Sequence, residues 1–178
     1  MKILSFAASN SRHSINRKLL DYTETLLPEF EFEHLDLNDY EMPIYSIDRE
    51  HEAGIPDQAG QFLQALAGAD ALMISFAEHN GNYTVAFKNV LDWCSRLDRN
   101  IYQHKKMLLL STSPGQGGGS NVLAMAAGAA KFFAGEVVTT LSIPSFYENF
   151  DEAHEVLTHT ALAQELSDAV RQFRDAIS

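Results

Sequence analysis

The chain has 178 residues, 46% of them hydrophobic, a length that suits one domain with a substantial core rather than two. Its formal net charge is −11, with 24 acidic against 13 basic residues, which argues against a nucleic acid partner because binding a phosphate backbone relies on many lysines and arginines. No apolar run approaches the roughly 20 residues that a membrane-spanning helix needs, so we expect no membrane partner.

Short apolar runs alternate with amphipathic stretches along the whole chain. The first run, Ile3 to Ala7, is too short for a signal sequence and predicts a buried strand. Together the runs predict five strand-then-helix units, which imply an α/β fold with one parallel sheet and helices on both faces. Five strands suggest the flavodoxin-like order 2-1-3-4-5, in a single domain over residues 1–178. The other predicted strands lie at 30–35, 71–76, 106–111 and 136–142, and the predicted helices at 15–26, 57–67, 83–97, 120–133 and 151–177.

The sequence also predicts the structure of two further segments, one in the first half of the chain and one near its end. Residues 39–57 contain Pro43 and Gly54 and predict a long loop, and long loops in compact domains tend to be functional or to contact a partner. The last predicted helix begins with Asp151 and Glu152, where the positive end of a helix dipole favours acidic side chains.

The single cysteine, Cys94, excludes an intrachain disulfide and fits a reducing cytoplasm, where we expect the protein to reside. Because Cys94 lies among the apolar positions of a predicted helix, a buried thiol is favoured over a nucleophile. The histidines show no metal-ligand spacing, so no metal site is expected.

A cluster of small hydroxyl and amide side chains follows the first predicted strand and precedes the first helix. Unpaired backbone amides at a helix N-terminus, with serine and asparagine donors beside them, form a phosphate cradle, and Arg12 can supply a countercharge. An ordinary helix cap by Ser14 is the alternative interpretation. The Gly-x-x-x-x-Gly-Lys-Ser/Thr motif of nucleoside triphosphatases does not occur. The candidate residues of this first loop are Ser9, Ser11, Arg12, Ser14, Ile15 and Asn16.

The third and fourth predicted strands also end in polar or glycine-rich loops, at the edge where open α/β sheets bind ligands. After the third strand the chain reads Glu78-His79-Asn80-Gly81 and then restarts as a helix. After the fourth, four glycines fall within five residues, which suggests a backbone that approaches something flat or bulky, although a merely flexible turn would look the same. A dinucleotide fingerprint would instead follow the first strand and read Gly-x-Gly-x-x-Gly. The candidate residues of the loop after the fourth strand are Ser113, Pro114, Gly115, Gln116, Gly117 and Gly118.

Taken in order, these loops resemble the NADPH-dependent FMN reductase family. The first reads Ser9-Asn10-Ser11-x-x-Ser14-Ile15-Asn16, and the second, Glu78-His79-Asn80-Gly81, leads to Lys88-Asn89-Val90-Leu91-Asp92-Trp93. The third, Ser111-Thr112-Ser113-Pro114-Gly115, opens the glycine run. Met42-Pro43-Ile44-Tyr45 is similar to the family's leucine-proline-leucine-tyrosine segment.

The resemblance spans about residues 2 to 145 and implies what each loop binds. It assigns the first loop to the phosphate of FMN, the second to the flank of the isoalloxazine ring, and the third to the pyrimidine side of that ring. It also implies that hydride passes from NADPH or NADH to FMN and then to a small-molecule electron acceptor, such as a flavin or a quinone, in a homodimer or homotetramer. Such chemistry belongs to the cofactor, so no catalytic side chain is predicted.

The chain departs from the family pattern at three places. The family's first loop commonly opens with glycine and places arginine two residues after the first serine, whereas Ala8 opens it here and Arg12 comes one residue later. The usual proline-glutamate-tyrosine-asparagine turn reads Ala77-Glu78-His79-Asn80, so His79 stands where a tyrosine is usual, and Thr84 replaces the proline that follows. An imidazole offers a smaller stacking surface than a phenol ring, so flavin affinity can differ from that of other members, unless His79 is only a solvent-facing turn residue.

Two other functions share this fold. A flavodoxin-like electron carrier would bind FMN without oxidising a nicotinamide, but flavodoxins usually show several threonines in the first loop and aromatic residues beside the ring. A response-regulator receiver domain needs clustered acids after the first strand, where this chain has Ala8 and Ser9. The reductase is therefore the favoured interpretation and the electron carrier its alternative.

Overall fold

A computed structural model describes residues 1–178 of the chain, and a five-stranded parallel sheet forms its centre. The strand order is β2-β1-β3-β4-β5, which confirms the predicted flavodoxin-like fold. The predicted bounds of each strand agree with the observed bounds to within one residue at either end. The strands are β1 (Lys2–Ala8), β2 (Glu31–His34), β3 (Ala71–Phe76), β4 (Lys106–Thr112) and β5 (Glu136–Ile143).

Helices cover both faces of the sheet, and each face has its own apolar core. On one face, α3, α4 and α5 bury side chains such as Phe6, Phe62 and Trp93. On the other, α1 and α7 bury side chains such as Leu19 and Phe173. None of the helices is both long enough and apolar enough to cross a membrane. The helices are α1 (Ile15–Thr25), α2 (Ile47–Ala53), α3 (Asp57–Ala67), α4 (Val85–Leu97), α5 (Ser120–Ala130), α6 (Phe146–Asn149) and α7 (Thr160–Ile177).

Every residue of β3 is buried, as expected for a strand at the centre of a sheet that helices cover on both sides. The edge strand β2 is short and mostly exposed. Helix α5 continues into a 3₁₀ turn at Lys131–Phe133, so the predicted helix over 120–133 is α-helical only to Ala130.

Two side chains of α4 hold the segment from Met42 to Tyr45 against the body of the protein. The Asn89 side chain accepts a hydrogen bond from the Tyr45 backbone N–H at 2.9 Å and donates to the Met42 carbonyl at 3.0 Å. The Trp93 indole N–H donates to the Pro43 carbonyl at 2.7 Å. Backbone groups that lie outside any sheet thus find partners, which explains why this segment follows a fixed path.

The prediction of one long loop over 39–57 was wrong. A 3₁₀ turn at Leu37–Tyr40 overlaps the start of this segment, and α2 occupies its centre. The Ser46 side chain caps α2 by accepting from the Arg49 backbone N–H at 3.2 Å. This N-cap serine, followed by acids in the first helical turn, was a local signal of a helix.

The prediction that one helix covers 151–177 was also wrong. The chain first forms α6 and a small antiparallel hairpin of β6 (Phe150–Asp151) and β7 (Val156–Leu157), and α7 begins only afterwards. Asp151 therefore does not lie at a helix start. Its carboxylate instead accepts from the Ala153 and His154 backbone N–H groups, which closes the hairpin turn, while Phe150 and Leu157 pack into the core.

Cys94 is fully buried in α4, as the sequence predicted, and its thiol contacts the Ala59 carbonyl at 3.5 Å. Burial raises the pKa of Cys94 to about 12, because the thiolate would lose its hydration. Reactivity of a cysteine depends on its thiolate form, so we expect Cys94 to be unreactive in the native protein.

We expect native protein at pH 8 to resist labelling by an aromatic disulfide reagent, because the Cys94 thiol is buried and protonated. Protein unfolded in urea should release one equivalent of chromophore per chain, since the chain has a single cysteine. Rapid stoichiometric labelling of the native protein would contradict the burial of this thiol.

Candidate functional site

The loops that follow β1, β3 and β4 meet at one edge of the sheet and enclose a cleft of about 240 Å³. We call it the three-loop cleft. Its walls hold residues from all three loops, as expected of neighbouring parallel strands whose carboxyl ends lie side by side. The predicted site residues that line it are Ser9, Ser11, Ser14, Ile15, Asn16, Glu78, His79, Ser113 and Pro114.

Asn16 ties the start of α1 to the ends of β3 and β4. Its side chain is 2% exposed, and the amide oxygen accepts from the Ser75 hydroxyl at 2.7 Å and from the Thr112 backbone N–H at 3.1 Å. The amide nitrogen donates to the Thr112 carbonyl at 3.2 Å. These bonds leave one of the four hydrogen-bonding positions of the Asn16 amide without a protein partner. Asn16 therefore positions the first loop, and its side chain is largely committed to that role.

Glu78 makes a second tie, between the loop after β3 and the start of α5. Its carboxylate accepts from the Val122 backbone N–H at 2.9 Å and from the Asn121 side chain at 3.4 Å. A carboxylate in this place satisfies a backbone donor that the helix leaves free and lies at the positive end of the helix dipole. Glu78 thus fixes the second loop relative to the third.

The first loop bends through successive hydrogen bonds between serine side chains and the backbone. The Ser9 hydroxyl accepts from the Ser11 N–H at 3.1 Å, and the Ser11 hydroxyl accepts from the His13 N–H at 3.3 Å. Ser14 caps α1 by accepting from the Arg17 N–H at 3.3 Å. The capping serine leaves the N–H groups of the first helical residues without an intrahelical acceptor, and these donors border the three-loop cleft.

The second loop is a tight two-residue turn. The backbones of His79 and Asn82 pair through two hydrogen bonds of 2.9 and 3.1 Å, with Asn80 (φ 53°) and Gly81 (φ 74°) between them. Asparagine followed by glycine is the preferred sequence for such a turn because both residues adopt positive φ. Asn80 and Gly81 form the exposed tip, and His79 stands at its base, on the wall of the cleft.

Tyr83 anchors this turn from behind. Its ring packs against Phe76 and Phe87, with centroids 5.9 and 5.3 Å away. Burial raises the pKa of Tyr83 to about 12, so its hydroxyl stays protonated. The aromatic packing of Tyr83 therefore stabilises the position of the turn that carries His79.

The glycines of the third loop serve two different purposes. Gly118 has φ 60°, and a Cβ there would lie 2.3 Å from the Ser142 hydroxyl oxygen and 3.0 Å from the Pro144 nitrogen, so the fold itself demands glycine. Gly115 and Gly117 are exposed, and a Cβ at either would meet nothing within 4 Å. The need for close approach to a ligand can therefore explain a glycine at these two exposed positions, but it is not required to explain Gly118. Gly115, Gln116, Gly117 and Gly118 lie beyond the residues that line the three-loop cleft.

Four lining residues escaped the sequence reasoning: His13, Ala77, Thr112 and Tyr147. Tyr147 belongs to α6, just after β5, and is 59% exposed. The signal for Tyr147 was its position after a fifth parallel strand, whose end lies at the same edge of the sheet. His13 occupies the first loop between two predicted residues, but nothing in the sequence indicated which way its side chain faces.

Arg12 lies outside the three-loop cleft. It lines a different cleft of about 450 Å³, between the ends of β1 and β2, which we call the β1–β2 cleft. Its predicted contact with the FMN phosphate therefore stays a prediction. No group of three histidine, cysteine, aspartate or glutamate side chains is arranged to hold a metal ion.

A third cleft, of about 300 Å³, lies on the other side of His79. The first turn of α4 contributes Val85, and the segment held by Asn89 contributes Ile44; both side chains are exposed. His79 lines this third cleft and the three-loop cleft alike. The histidine thus separates a polar cleft from one with an apolar wall.

The chain is similar to known proteins along nearly its whole length. The model of the NADPH-dependent FMN reductase family matches residues 1–148. A relative, 2-hydroxy-1,4-benzoquinone reductase from Burkholderia sp, is 26% identical over 177 residues, which cover 98% of this chain and 93% of the relative.

Solved structures share the fold. The flavoenzyme FerB, an NAD(P)H:(acceptor) oxidoreductase from Paracoccus denitrificans, superposes with a TM-score of 0.81 at 24% identity and covers 99% of this chain and 96% of its own. An FMN-dependent NADH-azoreductase from Bacillus anthracis, solved in complex with FMN, gives a TM-score of 0.65 at 14% identity over 100% of both chains.

The Gly118→Ala variant should lose about 2–5 kcal/mol of unfolding free energy, because alanine meets both a left-handed backbone and a filled space. The matched control, Gly117→Ala, should change stability by no more than about 1 kcal/mol, since its Cβ enters open space. Urea unfolding measures both. Equal stability of the two variants would contradict the close packing at Gly118.

Proposed function

The chain belongs to the NADPH-dependent FMN reductase family, and from that premise we propose that it is an NAD(P)H-dependent FMN-binding oxidoreductase that reduces a flavin, a quinone or another small acceptor. The single observation that carries the proposal is the meeting of three strand ends around one polar cleft. FMN, when bound, takes hydride from the nicotinamide and passes electrons onward. The residues of the chain bind the cofactor, orient it and keep it in place.

We place the FMN phosphate at the start of α1. Free backbone amides at the first helical turn donate to phosphate oxygens, and the positive end of the helix dipole favours the negative charge. Ser9, Ser11 and Ser14 border this position, and His13, which also lines the cleft, offers a ring N–H as a donor. Local donors matter because the chain as a whole has a net charge of −11.

We place the isoalloxazine ring between the His79 turn and the loop from Ser113 to Gly118. The exposed Gly115 and Gly117 leave room beside their backbone for a flat group, and His79 offers its ring as a neighbour. The turn is fixed by Asn82 and Tyr83, and the third loop by Gly118. Rigid backbone on both sides suits a planar ligand, because little conformational freedom is lost when it binds.

A quinone is the acceptor class that we favour. The relative from Burkholderia sp carries the name 2-hydroxy-1,4-benzoquinone reductase, and its similarity covers nearly the whole chain. The third cleft, beside His79, gives a planar acceptor an apolar wall next to the proposed ring position.

We further propose that the protein is cytoplasmic and acts as a homodimer or homotetramer. Ile44, Ile47 and Val85 are 57%, 47% and 66% exposed, and Ile44 and Val85 lie on the wall of one cleft. Exposed apolar side chains grouped in this way favour contact with another subunit. The segment containing Ile44 and the first turn of α4 are the surfaces that we assign to this contact.

Titration with FMN should give saturable binding, and anaerobic addition of NADH or NADPH should then bleach the flavin absorbance at a catalytically relevant rate. Oxidised quinone added afterwards should restore the absorbance. If FMN binds but neither coenzyme bleaches it, the protein is the flavodoxin-like electron carrier. If FMN does not bind, the proposed cleft is wrong.

The His13→Ala variant should raise the Kd for FMN by about tenfold, because a hydrogen bond to the phosphate is lost. The Kd for riboflavin should stay unchanged, since riboflavin lacks the phosphate. Fluorescence titration of the same variant with both ligands makes this comparison internally controlled. Equal weakening for the two flavins would place His13 at the ring rather than at the phosphate.

A further inference from the structure

The β1–β2 cleft is larger than the three-loop cleft and lies on the opposite side of the first loop. The two clefts share Ser9, Ser11, His13 and Ser14. A ligand with two ends can therefore reach into both clefts across a single loop. Arg12, Asp36 and Asp39 line the β1–β2 cleft and not the three-loop cleft, and they have no part in holding FMN as proposed above.

Arg12 is the arginine of this cleft that is free to bind an anion. Its side chain is exposed and makes no hydrogen bond or ion pair within the protein. By contrast, Arg17 pairs with Asp21 and Glu24, and Lys18 pairs with Glu152. An unpaired guanidinium beside open space is suited to a phosphate or pyrophosphate group.

Two carboxylates, Asp36 and Asp39, line the same cleft from the segment that follows β2. One oxygen of Asp36 accepts from the Asn38 backbone N–H at 2.9 Å, and its other oxygen makes no hydrogen bond in the protein. Asp39 is exposed, and its carboxylate makes no hydrogen bond or ion pair in the protein. Leu35 and Leu37, which are buried, supply an apolar part of the wall.

We propose that the β1–β2 cleft binds the adenosine end of the nicotinamide coenzyme and selects NADH over NADPH, an inference that rests on the reductase function proposed above. The ribose hydroxyl groups donate to Asp36 and Asp39, Arg12 binds the pyrophosphate, and the adenine lies on the leucine wall. NADPH would bring a 2′-phosphate with a charge near −2 against two carboxylates, and that repulsion disfavours it.

The position of Arg12 in the β1–β2 cleft also bears on the one-residue displacement of this arginine from its usual place in the family's first loop. Relative to the family's usual first loop, arginine comes one residue late, and Ser11 takes its place. Ser11 lines both clefts, whereas Arg12 lines only the β1–β2 cleft. An arginine one residue earlier would therefore border both clefts, whereas at position 12 it lines the β1–β2 cleft alone.

The primary test is steady-state reduction of one quinone acceptor by the FMN-loaded protein with each coenzyme. We expect kcat/KM for NADH to exceed that for NADPH by about tenfold or more. In the double variant Asp36→Asn, Asp39→Asn the ratio should fall towards one, because the KM for NADH rises as its ribose loses charge-assisted hydrogen bonds and the KM for NADPH falls as the repulsion is removed. Glu165→Gln, which removes an exposed charge outside both clefts, is the matched control and should keep the original ratio.

A second measurement does not depend on turnover. Calorimetric titration of the FMN-loaded protein with adenosine 5′-monophosphate should show binding that Arg12→Ala weakens, while the Kd of that variant for FMN stays unchanged. Adenosine 2′,5′-bisphosphate should bind more weakly than the monophosphate. The double asparagine variant should remove that difference.

The outcomes separate the two proposals. Equal use of NADH and NADPH, or a ratio that the double variant leaves unaltered, would overturn the coenzyme assignment and leave the reductase function standing. Loss of FMN binding in Arg12→Ala would overturn the assignment as well, because it would return the guanidinium to the FMN phosphate. Adenosine monophosphate binding without flavin reduction by either coenzyme would overturn the reductase function instead.

Discussion

The buried amide of Asn16 is the interaction on which the site depends. It bonds to the Ser75 hydroxyl and to both backbone groups of Thr112, so one side chain joins the start of α1 to the ends of two strands. Loss of that amide would leave buried donors and acceptors unpaired, and each such group costs about 1–3 kcal/mol. Through these bonds the Asn16 side chain sets the distance between the first helical turn of α1 and the loop after β4.

The other fixed contacts around the cleft extend this constraint. Glu78 ties the second loop to α5, and the turn at His79 is held by its own backbone pairing and by Tyr83. Gly118 lets the third loop pack against the end of β5. Three loops that would otherwise move independently are thus held at a common edge of the sheet. The loops need little rearrangement when a ligand binds, which lowers the entropic cost of binding. The chemistry proposed for the protein follows from this rigidity, because the cofactor needs position more than it needs catalytic side chains.

Sequence reasoning succeeded where a local pattern has one structural solution. Short, mostly apolar runs such as Ala71–Phe76, each followed by a polar loop and an amphipathic stretch, indicate buried strands between helices, and parallel strands bring their loops to one edge. It failed where contacts between residues distant in the sequence determine the local structure. The hairpin at Phe150–Leu157 forms because these two side chains reach the core, and the direction of Arg12 depends on how the whole first loop bends. The glycine run suggests either a ligand contact or a flexible turn, yet at Gly118 close packing against the neighbouring strand explains the glycine.

The crystal structure of the protein with FMN tests the central claim most directly. The account predicts the phosphate within hydrogen-bond distance of the backbone N–H groups of Ile15 and Asn16, and the ring between His79 and the loop from Ser113 to Gly118. The Asn16 side chain should keep its bonds to Ser75 and Thr112. Finding FMN in the β1–β2 cleft, or the Asn16 amide turned away from β4 to bind the phosphate, would contradict the account.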